Sequence, residues 1–286
     1  MIRPTITYVF ETESLSGEIR PDLPKPGVVR CRHKPSGFEV LPEVPLHALL
    51  MPEWLLRPGS GRHGIFWAPC KAKPEVFLEG ESVVFHVIAE QTREWNMDIT
   101  FRYRPGPDWV DFICTILPGS AIDAFEFFFA SYINEEMEST WVSAAFPDGE
   151  SWQKLDNRNT EPWGPPYFVA RDEKARAYLD DGRWNLPGKA AGNGLRPDWY
   201  YARPIVVATQ ESTGLAAVTL VEPGVCTLLG GQHHIVETAH DFTFGGDLHP
   251  EEALVGRARV VIREIGQFPE ASRQIDTMWA EFIESL

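Results

Sequence analysis

The chain has 286 residues, 43% of them hydrophobic, with 26 Lys plus Arg against 41 Asp plus Glu for a formal net charge of −15. That apolar fraction excludes bulk disorder. The charge argues against non-specific binding to phosphate backbones and to anionic lipid.

Taken in chain order, the first 70 residues read as an irregular N-terminal extension, with a weak helical segment at Leu46–Leu56 that Pro52 interrupts. From Glu75 onward strand signals dominate. PEVFLEGESVVFHVIAEQ contains two short β runs, the second from Ser82 to Glu90. Ile99–Tyr103 and Trp109–Ile116 form a hairpin around Arg-Pro-Gly-Pro-Asp, a cluster suited to chain reversal. AIDAFEFFFASYIN reads as a long aromatic strand. The stretch 146–204 is crowded with Pro, Gly, Trp, Asn and charge, including Trp152, Trp163, Tyr167, Trp184 and Trp199. Loops of that length are functional or linkers, and the aromatic content favours an ordered excursion over one sheet face, with a weak helix at Glu173–Tyr178.

A second hairpin, YARPIVVATQESTGLAAVTLVEP, turns at Glu-Ser-Thr-Gly and is followed by GVCTLLGG, HHIVETAHDFTFGG and ALVGRARVVIREI. Such a series of short strands with turn signals between them is the pattern of an all-β sandwich or barrel. One amphipathic helix closes the chain. Ile275, Met278, Trp279, Phe282 and Ile283 share a face, and Pro269 is expected in its first turn. That stripe is expected on a sheet edge or outer layer, of this chain or of a second copy, so a homo-oligomer is an open alternative.

The N-terminus lacks a basic region followed by an apolar run, and no stretch approaches the about 18 apolar residues of a membrane span. Cys31, Cys70, Cys114 and Cys226 are widely spaced, as expected for thiols of a reducing cytoplasm. Phosphate-loop, dinucleotide, zincin and serine-esterase motifs are missing. No cofactor is expected.

On the strand Asp123–Asn134, side chains alternate faces. Asp123, Phe125, Phe127, Phe129, Ser131 and Ile133 form a mostly core face, and Ala124, Glu126, Phe128, Ala130, Tyr132 and Asn134 form the other. A carboxylate beside Phe128 would have a raised pKa useful for general acid–base work, so Glu126 is a candidate base; an arginine-paired glutamate is the alternative. His86 and Glu90, four apart on the expected strand, could act as acid and base or, with a histidine from 233–240, hold a metal in a lyase or isomerase. His234 is a second candidate acid, and His240 shares its parity if the strand stays regular. Arg183 and Arg203 offer guanidinium forks for hydroxyls or carboxylates. Trp184 offers an apolar platform for a pyranose, beside Tyr132 and Asn134 as polar contacts. The alternative is a loop held by its own mini-core and salt bridges.

At FEFFFASYINEEMESTWV, YLDDGRWN, YYARPIVV and DFTFGGDLHPEEALVGRARVVI the chain resembles bacterial β proteins with a galactose-mutarotase-like, glycosidase-like supersandwich. The resemblance spans Glu75 to Glu264 and leaves out the first 70 residues. It implies a two-sheet supersandwich with a sugar site on the concave sheet. In mutarotases a histidine acid protonates the ring oxygen while a glutamate base takes the anomeric proton. Those histidine and glutamate motifs are absent here, so Glu126, His86 and His234 rest on strand geometry. The expectation is one domain over 1–286, a cytoplasmic enzyme doing acid–base chemistry on a small carbohydrate. A non-catalytic carbohydrate-binding or assembly module is the alternative.

Overall fold

Period-two alternation gives each strand one apolar face, and two antiparallel sheets bury those faces against each other. The computed structural model describes residues 7–21, 26–42, 47–155, 167–185, 197–233 and 237–286. In chain order the elements are β1 (Tyr8–Glu11), β2 (Leu15–Arg20), β3 (Gly27–His33), β4 (Phe38–Glu39), β5 (Ala48–Leu56), β6 (His63–Gly64), β7 (Glu75–Glu79), β8 (Ser82–Val87), β9 (Met97–Pro105), β10 (Trp109–Pro118), β11 (Ile122–Ile133), β12 (Ser139–Phe146), β13 (Gly149–Leu155) and β14 (Tyr167–Ala170). They continue with α1 (Glu173–Ala177), β15 (Tyr200–Gln210), β16 (Leu215–Val221), β17 (Cys226–His233), β18 (Thr238–Leu248), β19 (Leu254–Glu264) and α2 (Ser272–Glu284).

Among the described residues, one sheet has ten strands, in the order β1-β2-β3-β5-β11-β18-β17-β14 with β4 on β3 and β6 on β5. The other has nine, in the order β13-β12-β15-β16-β19-β10-β9-β8-β7. Phe125, Phe127 and Phe129 of β11 meet Phe101, Phe112, Phe242 and Phe244 in the core between the sheets. The expected face assignment of β11 holds from Phe125 to Ile133, because the other side chains there turn away from this core, Phe128, Ala130 and Tyr132 into a second cluster with Phe168 and Trp184, whereas Asp123 and Ala124 fall at a bulge and Asn134 lies beyond the strand.

Several expectations are corrected. Leu46–Leu56 is not helical: Ala48–Leu56 is the strand β5, paired with β11. Its apolar residues are buried on both faces, so the polar alternation that marks a half-exposed strand is missing. The first 70 residues are not an irregular extension, since β1–β6 make up one side of the ten-stranded sheet. The stretch 146–204 is not wholly a loop: β13 extends the nine-stranded sheet and β14 extends the other. Pro269 lies in the turn before α2, which begins at Ser272. Strand β8 ends at Val87, and Glu90 falls in a 3-10 turn, so His86 and Glu90 do not share a strand face.

Helix α2 packs Ile275, Met278 and Phe282 on the outer side of the nine-stranded sheet, over Val207, Val218 and Val261. The four cysteines are free and buried. Burial pushes the Cys31 and Cys226 thiols up to about 12.

Candidate functional site

The outer face of the ten-stranded sheet, around β5, β11 and β18, gathers the polar side chains. Strand register sets the frame. Opposite Phe128, Ala130 and Tyr132 of β11 stand Thr243, Asp241 and Ala239 of β18 on one side, and Trp54, Met51 and Ala48 of β5 on the other. Directly opposed residues share a face.

One half of this face is sealed. Glu126 and Arg183 are each 0% exposed, with Glu126 Oε2 2.8 Å from Arg183 Nη1. Glu126 Oε1 accepts from the hydroxyls of Thr227 and Thr243. The Arg183 guanidinium turns its Nε and Nη2 to Asp181 and lies 3.9 Å from the centre of the Tyr178 ring. Burial pushes the Glu126 carboxyl up, while Arg183 and the two threonines oppose that push. Trp184 is buried beside this pair, edge-on to Phe128 at 5.2 Å and tilted against Phe168 at 4.8 Å. Glu126, Arg183 and Trp184 therefore come together under the expected roof, but as an anchor without solvent access.

The other half is less closed: Arg62, Tyr132 and two indoles are half-buried, over the carboxylates of Glu53 and Asp241, which are 6% and 1% exposed. A bulge in β5 sets it up: the register jumps from Phe128↔Trp54 to Phe129↔Pro52, leaving Glu53 as the extra residue. Proline has no N–H for the ladder and is tolerated at bulges, which also re-aim side chains. Glu53 turns to Tyr132, whose hydroxyl donates to Glu53 Oε1 at 2.9 Å. Burial, then the charges of Glu53, Asp241 and Glu237, push the Tyr132 phenol well above its ordinary value, so it stays protonated and donates. Arg62 lies in the field of the same group. Burial pushes its guanidinium down, while Glu53, Tyr132 and Asp241 pull it back up. The roof holds this arginine in place: Arg62 Nε donates to the Trp184 carbonyl at 2.9 Å and its backbone N–H to the Asn185 carbonyl at 3.2 Å.

Two indoles border this half. Trp54 and Trp67 are half-buried and meet edge to face at 5.3 Å. Gly64 allows that approach, since a Cβ there would fall 2.2 Å from the Trp67 ring. The resulting arrangement is a carboxylate held by a phenol, a guanidinium, a second carboxylate at Asp241 and two aromatic walls. It can bind hydroxyls through paired donors and acceptors, and it can take or return a proton at Glu53.

Other expected site residues lie elsewhere. His86 stands on β8 of the opposite sheet, facing Glu75 and Thr100 across the ladder, so it cannot act with Glu126. Arg203 stands on β15 of that same sheet, paired with Glu150 and with Asp276 of α2. Asn134 closes a turn: its Nδ2 donates to the Glu39 carbonyl at 2.9 Å and its Oδ1 accepts from the Glu136 N–H. His240 points into the core, with Nδ1 2.9 Å from Thr219 Oγ1, and burial pushes its imidazole down to about 3. His234 lies outside the described residues. Among the described residues, no group of three or more His, Cys, Asp or Glu could hold a metal.

Sequence reasoning missed Glu53, Trp54, Arg62, Trp67 and Asp241. The available signal was Pro52-Glu53-Trp54, a proline, a carboxylate and an indole inside an otherwise apolar run.

No known protein-family profile matches the chain, and no curated protein sequence matches it. Solved structures do share its fold. A candidate aldose 1-epimerase from Escherichia coli aligns over 91% of this chain and 99% of its own, at 9% identity and a TM-score of 0.58. A galactose mutarotase related enzyme from Lactobacillus acidophilus aligns over 92% and 99%, at 8% identity and a TM-score of 0.55. An alpha-N-acetylgalactosaminidase from Bifidobacterium bifidum aligns over 96% of this chain and 39% of its own, at 11% identity and a TM-score of 0.57. The fold is the galactose-mutarotase-like supersandwich, and this chain carries a C-terminal helix outside the nine-stranded sheet.

Proposed function

We propose that this protein is a carbohydrate-active enzyme that performs acid–base chemistry on a monosaccharide or glycoside at the outer face of the ten-stranded sheet. The observation that carries the reading is the Glu53–Tyr132 hydrogen bond placed beside Arg62 and Asp241 and bordered by Trp54 and Trp67. A sugar ring presents an apolar C–H face to an indole and its hydroxyl edge to carboxylates and guanidinium. Glu53 is the proposed base. In an epimerisation it takes the anomeric hydroxyl proton while an acid protonates the ring oxygen. The ring C–O bond then breaks to leave an open-chain aldehyde, and reclosure on the other face returns both protons. His234, a histidine the sequence offers as an acid and which lies outside the described residues, is the proposed acid. Arg62 holds a hydroxyl, and Asp241 accepts from another. Glu126 and Arg183 position the roof. The fold of the neighbours, two of whose names refer to sugar epimerisation or mutarotation and one to a glycosidase, supports this class of substrate.

Exchange NMR on aldohexoses tests the reading. The wild type should accelerate anomer interconversion, and Glu53→Gln should lower that rate at least about 100-fold with the fold unchanged. Sugar binding without any acceleration of exchange or of glycoside hydrolysis would favour the binding module instead. Absence of both binding and turnover across hexoses and glycosides overturns the reading.

A further inference from the structure

Beside helix α2, the outer face of the nine-stranded sheet carries a cavity of about 540 Å³, within the ~300–1,000 Å³ range of small-ligand clefts. Strand pairing builds its floor. Trp141 of β12 stands opposite Val207 of β15, and Ser139 stands opposite Thr209, so Trp141 and Thr209 share the face that α2 flanks. The segment between β19 and α2 supplies Gln267, Phe268 and Glu270 as the far wall.

These walls are held in place by the fold itself. Gln267 Nε2 donates to the Glu211 carbonyl at 3.0 Å, and Gln274 Nε2 of α2 donates to the Ile265 carbonyl at 2.8 Å. Phe268 meets Trp141 at 5.3 Å and Trp152 at 5.0 Å, edge to face with both. A ligand would find the cavity already ordered, which lowers the entropy lost on binding.

One polar group of the floor is unused. Thr209 is 4% exposed and its hydroxyl makes no hydrogen bond among the described residues, yet it is not sealed from solvent and lines the cavity. Buried hydroxyls are ordinarily paired, so this one marks a place for a partner. The charges nearby are largely met. Lys154 pairs with Glu211 at 2.9 Å and lies 5.6 Å from the centre of the Trp141 ring, and the exposed Glu270 adds a single carboxylate at the rim. Hydroxyl, amide and aromatic groups therefore dominate the cavity, as suits a neutral polar ligand.

We propose that this cavity is a binding site for a neutral pyranose, separate from the Glu53 site on the other sheet. Trp141 and Phe268 offer an apolar wall to the C–H face of the ring. The Thr209 hydroxyl, the Gln267 amide and the Glu270 carboxylate meet its hydroxyls. The site stands on its own residues and does not depend on the role proposed for Glu53.

Nitrogen–proton NMR on the full chain tests it by following the Trp141 indole, assigned with Trp141→Phe. The probes are the methyl α- and β-glycosides of glucose and galactose, which as acetals do not mutarotate, so binding is read apart from anomer exchange. At least one should shift the Trp141 signal saturably. Thr209→Val removes a hydroxyl that pairs with nothing in the fold, so it should weaken that binding about three- to tenfold at an unchanged thermal midpoint. Glu53→Gln should leave the binding intact, and Thr209→Val should leave anomer exchange at the wild-type rate, so the two sites succeed or fail separately. Lack of a saturable shift with any of these glycosides overturns the proposal. So does an unchanged affinity in Thr209→Val. Tighter binding of tetramethylammonium than of every glycoside would overturn the assignment of a neutral ligand.

Discussion

Glu126 Oε2 and Arg183 Nη1 lie 2.8 Å apart with neither side chain reaching solvent, and this ion pair fastens the segment around residue 183 to β11. The same segment presents the Trp184 carbonyl to Arg62. The anchor and the candidate site are thus joined through a single stretch of backbone.

Breaking the anchor should destabilise the fold. Arg183→Met leaves a carboxylate buried with only two hydroxyls for company, and removal of one partner of a buried pair costs about 3–5 kcal/mol. Glu126→Gln keeps a hydrogen-bonding group in place and should cost about 1–3 kcal/mol. Urea unfolding followed by tryptophan fluorescence measures both. Equal stability of Arg183→Met and wild type would refute the anchoring role.

Tyr132→Phe removes the donor to Glu53. Because Tyr132 is half-buried, stability should change by no more than about 1.5 kcal/mol, while turnover on the sugar substrate should fall about tenfold or more. Paired unfolding and exchange-NMR measurements separate the two effects.

Trp67→Ala removes one indole of the Trp54–Trp67 pair. Sugar affinity should fall by about tenfold, and the aromatic pair itself accounts for about 0.5–1.5 kcal/mol of local stability. Chemical-shift titration with the preferred sugar reads the affinity. An unchanged dissociation constant would exclude Trp67 from the binding surface.

Stability should depend on pH through His240. The folded chain holds this imidazole neutral down to about 3, against an ordinary value of 6.5. Between those values the unfolded chain binds a proton that the folded chain does not, so stability is full above about 6.5 and falls as pH drops towards 3. The span corresponds to a loss of up to about 5 kcal/mol. Denaturant titrations from neutral pH to about 4 should show that slope, and His240→Gln should flatten it.

Helix α2 should contribute through its buried stripe. Met278→Ala opens a cavity over Val218 and Val261 and should cost about 2–5 kcal/mol. A midpoint shift in urea tests this.

The two face assignments along β11 and the apolar stripe of α2 were legible because both follow from local periodicity. Strands such as β9, β10, β15 and β16 declared themselves in the same way, each bounded by a turn cluster. Strand β5 did not, because it is buried on both faces and carries a proline, so its pattern matched neither template. The alternation on β11 put Glu126 and Tyr132 on one face but could not separate their roles. That depended on Arg183, which is 57 residues away in sequence, and on Glu53, which is 79 residues away.

Taken alone, then, the sequence determined the β class, most strand positions from residue 75 onward and the amphipathic closing helix. These depend on side-chain period and turn chemistry within a few residues. Only the tertiary structure decided that β1–β6 complete the larger sheet, that Glu126 is ion-paired with Arg183 out of solvent, and that Glu53 accepts from Tyr132 within the field of Arg62 and Asp241. Those outcomes depend on strand register and on the bulge at Glu53, which bring distant segments together and whose local trace is limited to Pro52-Glu53-Trp54.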